Sequence, residues 1–481
     1  MRTRFHWLTE IKAPVTWLAA AFFISRLYAS LAGVTFYSTF VHRLWQAIDI
    51  ELLQTRFWES MLYAHAQPPV FNVVNGILVN LFPDRYATVF HRLNIALSLA
   101  TVMLLHMTLN RLAVARWMNV VMCLLLIFNP PVIAYENLYS YTTLTIFLVM
   151  ALTSATVCMF LTGEKRNYAA FVAALSLLVL TRSSFHLLWM IVMIAIATGL
   201  LKQRSFSRRV AIGIAVAGVV VTGSWYVKNY CLFGQFTAST WMGMNLARVL
   251  PPSTDLGRVG TFRSLESYTG YYEEIKGFDD VPLLNNPVKL RHPYPNYYHK
   301  NYIAVSDVFE NDFLNEVGHH PNKYLEKVGS SLSIFFSPAT HAPFIETSLE
   351  RLEPFTTIFA FDYSRPKAYS AMQRDLDDGA ATKAFMERNK LGATYAIPAV
   401  TVLVLLLIGL ALLFRQSRIA HVEFALGLTL LLVYAYGVLV GIMFEFGENN
   451  RFRLELQPVM YVLIPFAVSR LWNKTKRGNA F

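Results

Sequence analysis

Charge is scarce in this sequence: only 15% of its 481 residues are Asp, Glu, Lys or Arg, against about 25% in an average soluble domain. With 55% of residues hydrophobic, there is too little polar surface to coat an ordinary water-soluble fold of this size. Cysteine is scarce as well. Of the three, Cys123 and Cys158 fall inside apolar blocks and Cys231 at the edge of one, which argues against a structural disulfide. The chain has no Walker phosphate loop, no G-x-G-x-x-G after a strand and no G-x-S-x-G elbow. The basic turns between apolar blocks are too short for a nucleotide-binding domain, so an energy-coupled pump is not expected. No internal repeat, strand ladder or low-complexity run appears.

What the chain does have is a succession of apolar blocks about 20 residues long, the length that spans a bilayer core. They lie near 14–35, 88–109, 117–134, 142–162, 168–181, 185–201, 210–230, 396–414, 420–442 and 456–472. In hydrocarbon every backbone polar group needs an internal partner, so these blocks must be helices. The expected fold is an all-α polytopic integral membrane protein with about ten transmembrane helices. The first block follows MRTRFHW and shows no small-residue cleavage site, which predicts a retained span rather than a removed signal peptide.

A formal charge of +12 invites a nucleic-acid reading, but the placement of the charges does not support it. With the N-terminus on the cytosolic side, every turn on that side is basic: Arg2, Arg4 and Lys12; Arg111 and Arg116; Lys165 and Arg166; Lys202, Arg204, Arg208 and Arg209; Arg415 and Arg418; Arg470, Lys474, Lys476 and Arg477. This is the positive-inside bias, and it predicts both termini in the cytosol of an inner (cytoplasmic) membrane. No nucleic-acid partner is expected.

Three modules follow. Residues 1–231 form a transmembrane module whose first outer loop, 37–87, carries a short apolar stretch at Val70–Phe82. That stretch is too short to cross and is expected to lie at the interface. Residues 232–395 form a large outer segment with irregular sequence at 290–302 and helical pattern at Asn322–Phe336 and Lys367–Leu391. Residues 396–481 hold the last spans.

The charges that break the basic-inside rule are informative. Arg182, Lys228, Arg451 and Arg453 sit at the opposite membrane edge, where charged groups are costly and need a partner or a task. A lipid phosphate would suit them; structural pairing with Glu136, Glu445 or Glu448 would also account for them. Asp49, Glu51 and Glu136 are carboxylates on that side, where one partly buried beside cations can serve as a general base. For Glu51 the simpler reading is a solvated helix face. His292, His299, His319 and His320 lack tight metal-ligand spacing.

Several of these residues stand in phrases that resemble the GT-C glycosyltransferases, the group that includes the bacterial lipid A aminoarabinose transferase and the protein O-mannosyltransferases. Asp49 falls where that family has an acidic residue in the first outer loop. His65-Ala66-Gln67-Pro68-Pro69 is similar to its His-Pro-Pro phrase, and Arg85–Leu93 to the lead into span two. Asn129-Pro130-Pro131 with Glu136, followed by Tyr139 and Tyr141, resembles the second outer loop. Ser224-Trp225-Tyr226-Val227-Lys228-Asn229, then Phe233-Gly234, resembles Pro-Trp-x-x-Arg-Asn…Phe-Gly, and Glu448 with Arg451, Arg453 and Pro458 resembles the last outer loop. The chain departs from the pattern at Ala66 and Gln67, which separate His65 from the prolines, at Ser224 in place of Pro, and at Lys228 in place of Arg.

The resemblance implies inverting transfer of a sugar from a polyprenyl-phosphate donor to an acceptor outside the cytosol, whether lipid, glycan or protein. Asp49 would be the base, with Glu136 a second catalytic residue. Arg451, Arg453, Lys228 and Arg182 would neutralise the donor phosphate. Glu51, His65, Gln67, Tyr139, Tyr141, Asn229 and Glu448 would contact sugar or acceptor. A divalent cation is allowed but not demanded. Two alternatives stand beside it: a transporter or flippase of a lipid-linked sugar, and an enzyme like an O-antigen ligase or polymerase.

Overall fold

A computed structural model describes residues 7–202, 204–250, 264–336, 348, 351–358 and 417–478. Among these residues the fold is all-helical; β-structure is confined to two isolated bridges, Tyr37 with Leu138 and Val288 with Pro295. Four helices are long and apolar enough to cross a membrane: Tyr86–Arg111, Thr142–Thr162, Arg208–Phe233 and the His421–Met443 stretch. A fifth arises if the bent pair Arg116–Ile127 and Pro130–Glu136 is taken as one span.

The expected block at 396–414 lies outside the described residues, as does the helix expected at Lys367–Leu391. Each of the other blocks coincides with a helix: α1 (Trp7–Leu31), α6 (Tyr86–Arg111), α7 (Arg116–Ile127), α9 (Thr142–Thr162), α10 (Lys165–Thr181), α11 (Leu187–Leu200), α12 (Arg208–Phe233), α18 (Ser417–Met443) and α19 (Asn449–Gly478). The third block is not a straight span. It breaks before Pro130, turns by 48° and resumes as α8 (Pro130–Glu136). A proline disfavours the helical region for the residue before it, so Asn129 is extended and caps the new helix by accepting from Val132 N at 3.3 Å.

Helix α9 is the hub. It packs against α6, α10, α18 and α19, and its apolar length is buried nearly all round, as expected of a central helix. Helix α12, by contrast, is largely exposed along its apolar face, as suits lipid contact. It ends at Gly234, whose φ of 74° lies in the left-handed region that glycine takes without strain. The Phe-Gly phrase is therefore a helix stop.

The first polar segment folds into short helices at one end of the bundle: α2 (Phe40–Arg43), α3 (Ile50–Thr55), α4 (Phe57–Tyr63) and α5 (Val70–Leu81). Helix α5 matches the short helix expected at Val70–Phe82 and leaves Ile77, Leu81 and Phe82 exposed. In the described part of the second polar segment, α13 (Met242–Val249), α15 (Asn301–His319) and α16 (Pro321–Phe336) pack on one another, α14 (Pro282–Asn285) packs on α4, and α16 packs on α18 and α19; α17 (Glu353–Ile358) follows. Helix α16 realises the Asn322–Phe336 pattern. Trp241, Tyr298 and Tyr302 share one apolar core with the bundle, so within the described residues the second segment is built into the molecule rather than hung from it.

Candidate active site

Asp49 and Glu51 lie at the start of α3. Asp49 is 2% exposed and is the N-cap of that helix: its Oδ1 accepts from Glu51 N at 3.1 Å. Its Oδ2 accepts from Leu290 N, a residue of the second polar segment. Burial alone would raise the Asp49 carboxyl, but a hydrogen bond with Glu51 and those from the Leu290 and Glu51 amides hold it below the usual value. Glu51 goes the other way. Burial first, then its hydrogen bond with Asp49, pushes it up to about 7. Glu51 Oε2 is buried with no hydrogen-bond partner, while Oε1 lies 3.7 Å from Arg291 Nε. A protonated Glu51 beside an ionised Asp49 suits this geometry, so the pair takes up one proton as pH falls through about 7.

Beneath the pair sits Lys289, 4% exposed. Its ammonium donates to the carbonyls of Val41, Leu44 and Ala47 at 3.4, 3.3 and 3.1 Å. Burial lowers it to about 8, opposed by the charges of Asp49 and Glu51, so it remains mostly charged at neutral pH. His42 lies against His292, with ring centroids 3.6 Å apart and planes tilted by 31°; burial, then the neighbouring His292 and Lys289, lowers it to about 4.

The cations gather nearby. Arg182, at the end of α10, is 2% exposed, pairs with Glu455 and lies 3.8 Å over the Phe452 ring. Its outer nitrogens make no hydrogen bond of good geometry. Arg451 pairs with Glu448 at 2.8 Å and donates to the Tyr141 hydroxyl at 3.2 Å. Gln46 Nε2 donates to the same hydroxyl at 3.2 Å. Gln46 stands three residues before Asp49, so Tyr141 joins the arginine cluster to the carboxylate loop. Glu445 pairs with Arg248 at 3.0 Å.

The other expected residues divide. Arg453 lies on α19, two residues beyond Arg451. Lys228 donates to Ala64 O and sits 3.6 Å over the Trp225 ring, which ties α12 to the first polar segment. His65 is fully buried, with Nδ1 2.7 Å from Thr240 Oγ1 and Nε2 2.9 Å from Tyr298 O; burial pulls it down to about 3. It is therefore a neutral brace between the two polar segments. Gln67 is buried close by in sequence. Asn229 donates to Thr237 O at 2.8 Å in the turn after α12. Tyr139 stacks on Phe90 at 3.9 Å, and its hydroxyl donates to Asn75 at 3.4 Å. Glu136 stands apart from the pair: both of its oxygens are taken by the Arg26 guanidinium, Oε2 at 2.9 Å from Nε. Among the described residues, no group of three or more His, Cys, Asp and Glu could hold a metal ion.

Sequence reasoning missed Lys289, Gln46, Tyr298, Glu455 and Arg26. Arg26 had a signal, because a charge inside the first apolar block demands a partner. Glu455 had a weaker one, as the residue just before the last block. Nothing in one dimension marks Lys289. Compared with known proteins, the chain matches no protein-family model and no curated protein.

Proposed function

We propose that the chain is a membrane glycosyltransferase of GT-C type with about ten spans, working on the non-cytosolic face and taking its sugar from a polyprenyl-phosphate donor. One observation carries the reading: the Tyr141 hydroxyl receives Arg451 from one side and Gln46, of the Asp49 loop, from the other. A proton acceptor and buried guanidinium groups thereby belong to one connected site. Transfer needs both, a base for the acceptor hydroxyl and cations for the departing phosphate.

In this reading the acceptor oxygen attacks the anomeric carbon as its proton passes to the Asp49–Glu51 pair. The bond to the phosphate oxygen breaks, and the charge left there is met by Arg451 and Arg182, with Arg453 close on the same helix. Arg182 is already paired with Glu455 through Nη1, but its buried Nη2 makes no hydrogen bond and suits an anionic guest. Lys228, engaged with Ala64 and Trp225, braces the first polar segment.

The test is release of free polyprenyl phosphate by protein in nanodiscs supplied with polyprenyl-phosphate sugars. Wild type should release it, and Asp49→Asn and Arg451→Ala should each lose about 10²-fold or more. Tight lipid binding by wild type with no release would favour a transporter of lipid-linked sugar. Release untouched in Asp49→Asn but abolished in Glu51→Gln would make Glu51 the acceptor of the proton.

A further inference from the structure

The segment Pro287–Asn296 forms a closed loop: Val288 bridges Pro295, Lys289 N donates to Tyr294 O at 2.9 Å, and Asn296 N donates to Pro287 O at 3.0 Å. This loop belongs to the second polar segment, yet its residues in turn grip the first. Lys289 enters the ring of three carbonyls, Leu290 N binds Asp49, Arg291 faces Glu51, His292 lies against His42, and the Tyr294 hydroxyl accepts from Arg43 Nε at 2.8 Å. Of these anchors only Lys289 is both charged and buried. A long cationic side chain is not sunk under a loop merely to satisfy carbonyls, which a backbone amide or a water could do.

We propose that Lys289 is a positioning residue for the carboxylate pair: planted among the Val41, Leu44 and Ala47 carbonyls, its ammonium fixes the Pro287–Asn296 loop so that Leu290 N holds Asp49 and Arg291 faces Glu51. It supplies inside the chain the local positive charge that a site with two adjacent carboxylates needs. This rests on the reading of Asp49 and Glu51 as the proton-accepting pair. The charged and titratable groups around the pair are His42 and Arg43 from α2, Tyr86 from α6, and Lys289, Arg291 and His292 from the loop. Arg291 is mostly exposed and therefore screened, which leaves Lys289 as the buried cation that acts on both acids.

Two substitutions separate its roles. Lys289→Gln keeps hydrogen-bond donors for the carbonyls but removes the charge; Lys289→Met removes both. Hydrogen exchange of the full chain in detergent reads the loop, and an infrared titration of the protonated carboxyl stretch reads the pair, with Glu51→Gln assigning the band. Lys289→Met is expected to speed exchange across 287–296 by about tenfold or more while α9 stays protected. Both variants should move the pair's titration upward by about one pH unit, since a neighbouring cation is lost. A titration unmoved in both variants, or a loop whose exchange is unchanged in Lys289→Met, overturns the proposal. Should Lys289→Met not fold, the titration of Lys289→Gln alone decides. Neither readout requires turnover, so a wild type that releases no polyprenyl phosphate would remove the glycosyl-transfer reading and leave this one standing or falling on its own data.

Discussion

At the scale of single residues, the chemistry turns on how differently two carboxylates two positions apart are treated. Asp49 receives two backbone amides, whereas the buried Oε2 of Glu51 receives none. The sign of the consequence follows from Glu51 sitting near 7 in the folded chain against an ordinary 4.5. Its protonated form is the one the fold favours, so its contribution to stability is fully present below about 4.5 and is lost as pH rises through about 7. Wild-type melting temperature should therefore carry a downward slope across that window, and Glu51→Gln should flatten it. An unchanged slope in the variant would show that the titrating group lies elsewhere. Glu136 makes the opposite case: clamped by Arg26, it answers the need of a guanidinium placed inside an apolar helix.

At the scale of elements, the second polar segment is held together internally by a close helix crossing. Helices α13 and α15 cross at Gly243, where a Cβ would stand 1.8 Å from the Ser306 carbonyl oxygen. Backbone cannot swing aside as a side chain can, so Gly243→Ala should cost about 1–3 kcal/mol by overpacking. Gly318→Ala on the same α15 meets nothing within 4 Å and should be neutral or slightly stabilising, as alanine favours helix. Thermal melts of the two variants, run together, check the contrast; equal melting temperatures would mean that the crossing yields. Much at this scale was legible beforehand. Hydrophobic runs marked the helices and the length of Val70–Phe82 marked a helix too short to cross, whereas the third block read as one run over 117–134 and its break at Asn129 went unforeseen. The second polar segment was legible only in part, because its 287–296 loop is placed by contacts with residues some 240 positions away. Pattern along the chain carries no information on such pairs: Lys289 sits in a Pro- and Tyr-rich stretch that reads as plain loop, and Gln46 and Tyr141 become neighbours only in three dimensions.

At the scale of the whole molecule, the bundle and its polar cap are one body of packed side chains among the described residues, with no cystine among them. The cap is instead fastened by buried polar contacts: His65 to Thr240 and Tyr298, Tyr298 to Gln46 and Asn72, Lys289 to three carbonyls. Such fastening is indifferent to redox conditions, so dithiothreitol should leave both the melting temperature and any turnover unchanged. A loss of either on reduction would contradict the pairing described here.

The long reach of these contacts also sets an order of assembly during synthesis. The loop bearing Asp49 leaves the ribosome some 240 residues ahead of the Leu290 amide that completes it. Chains stalled short of residue 289 would carry every apolar helix up to α12 and still lack the buried floor of the carboxylate pair. A water-soluble thiol reagent aimed at cysteine in place of Ile48, a residue wholly buried in the finished fold, should react with such stalled chains and cease to react once about 300 residues have emerged. The carboxylate pair would thus stay open to water through most of synthesis and close only when the second half arrives.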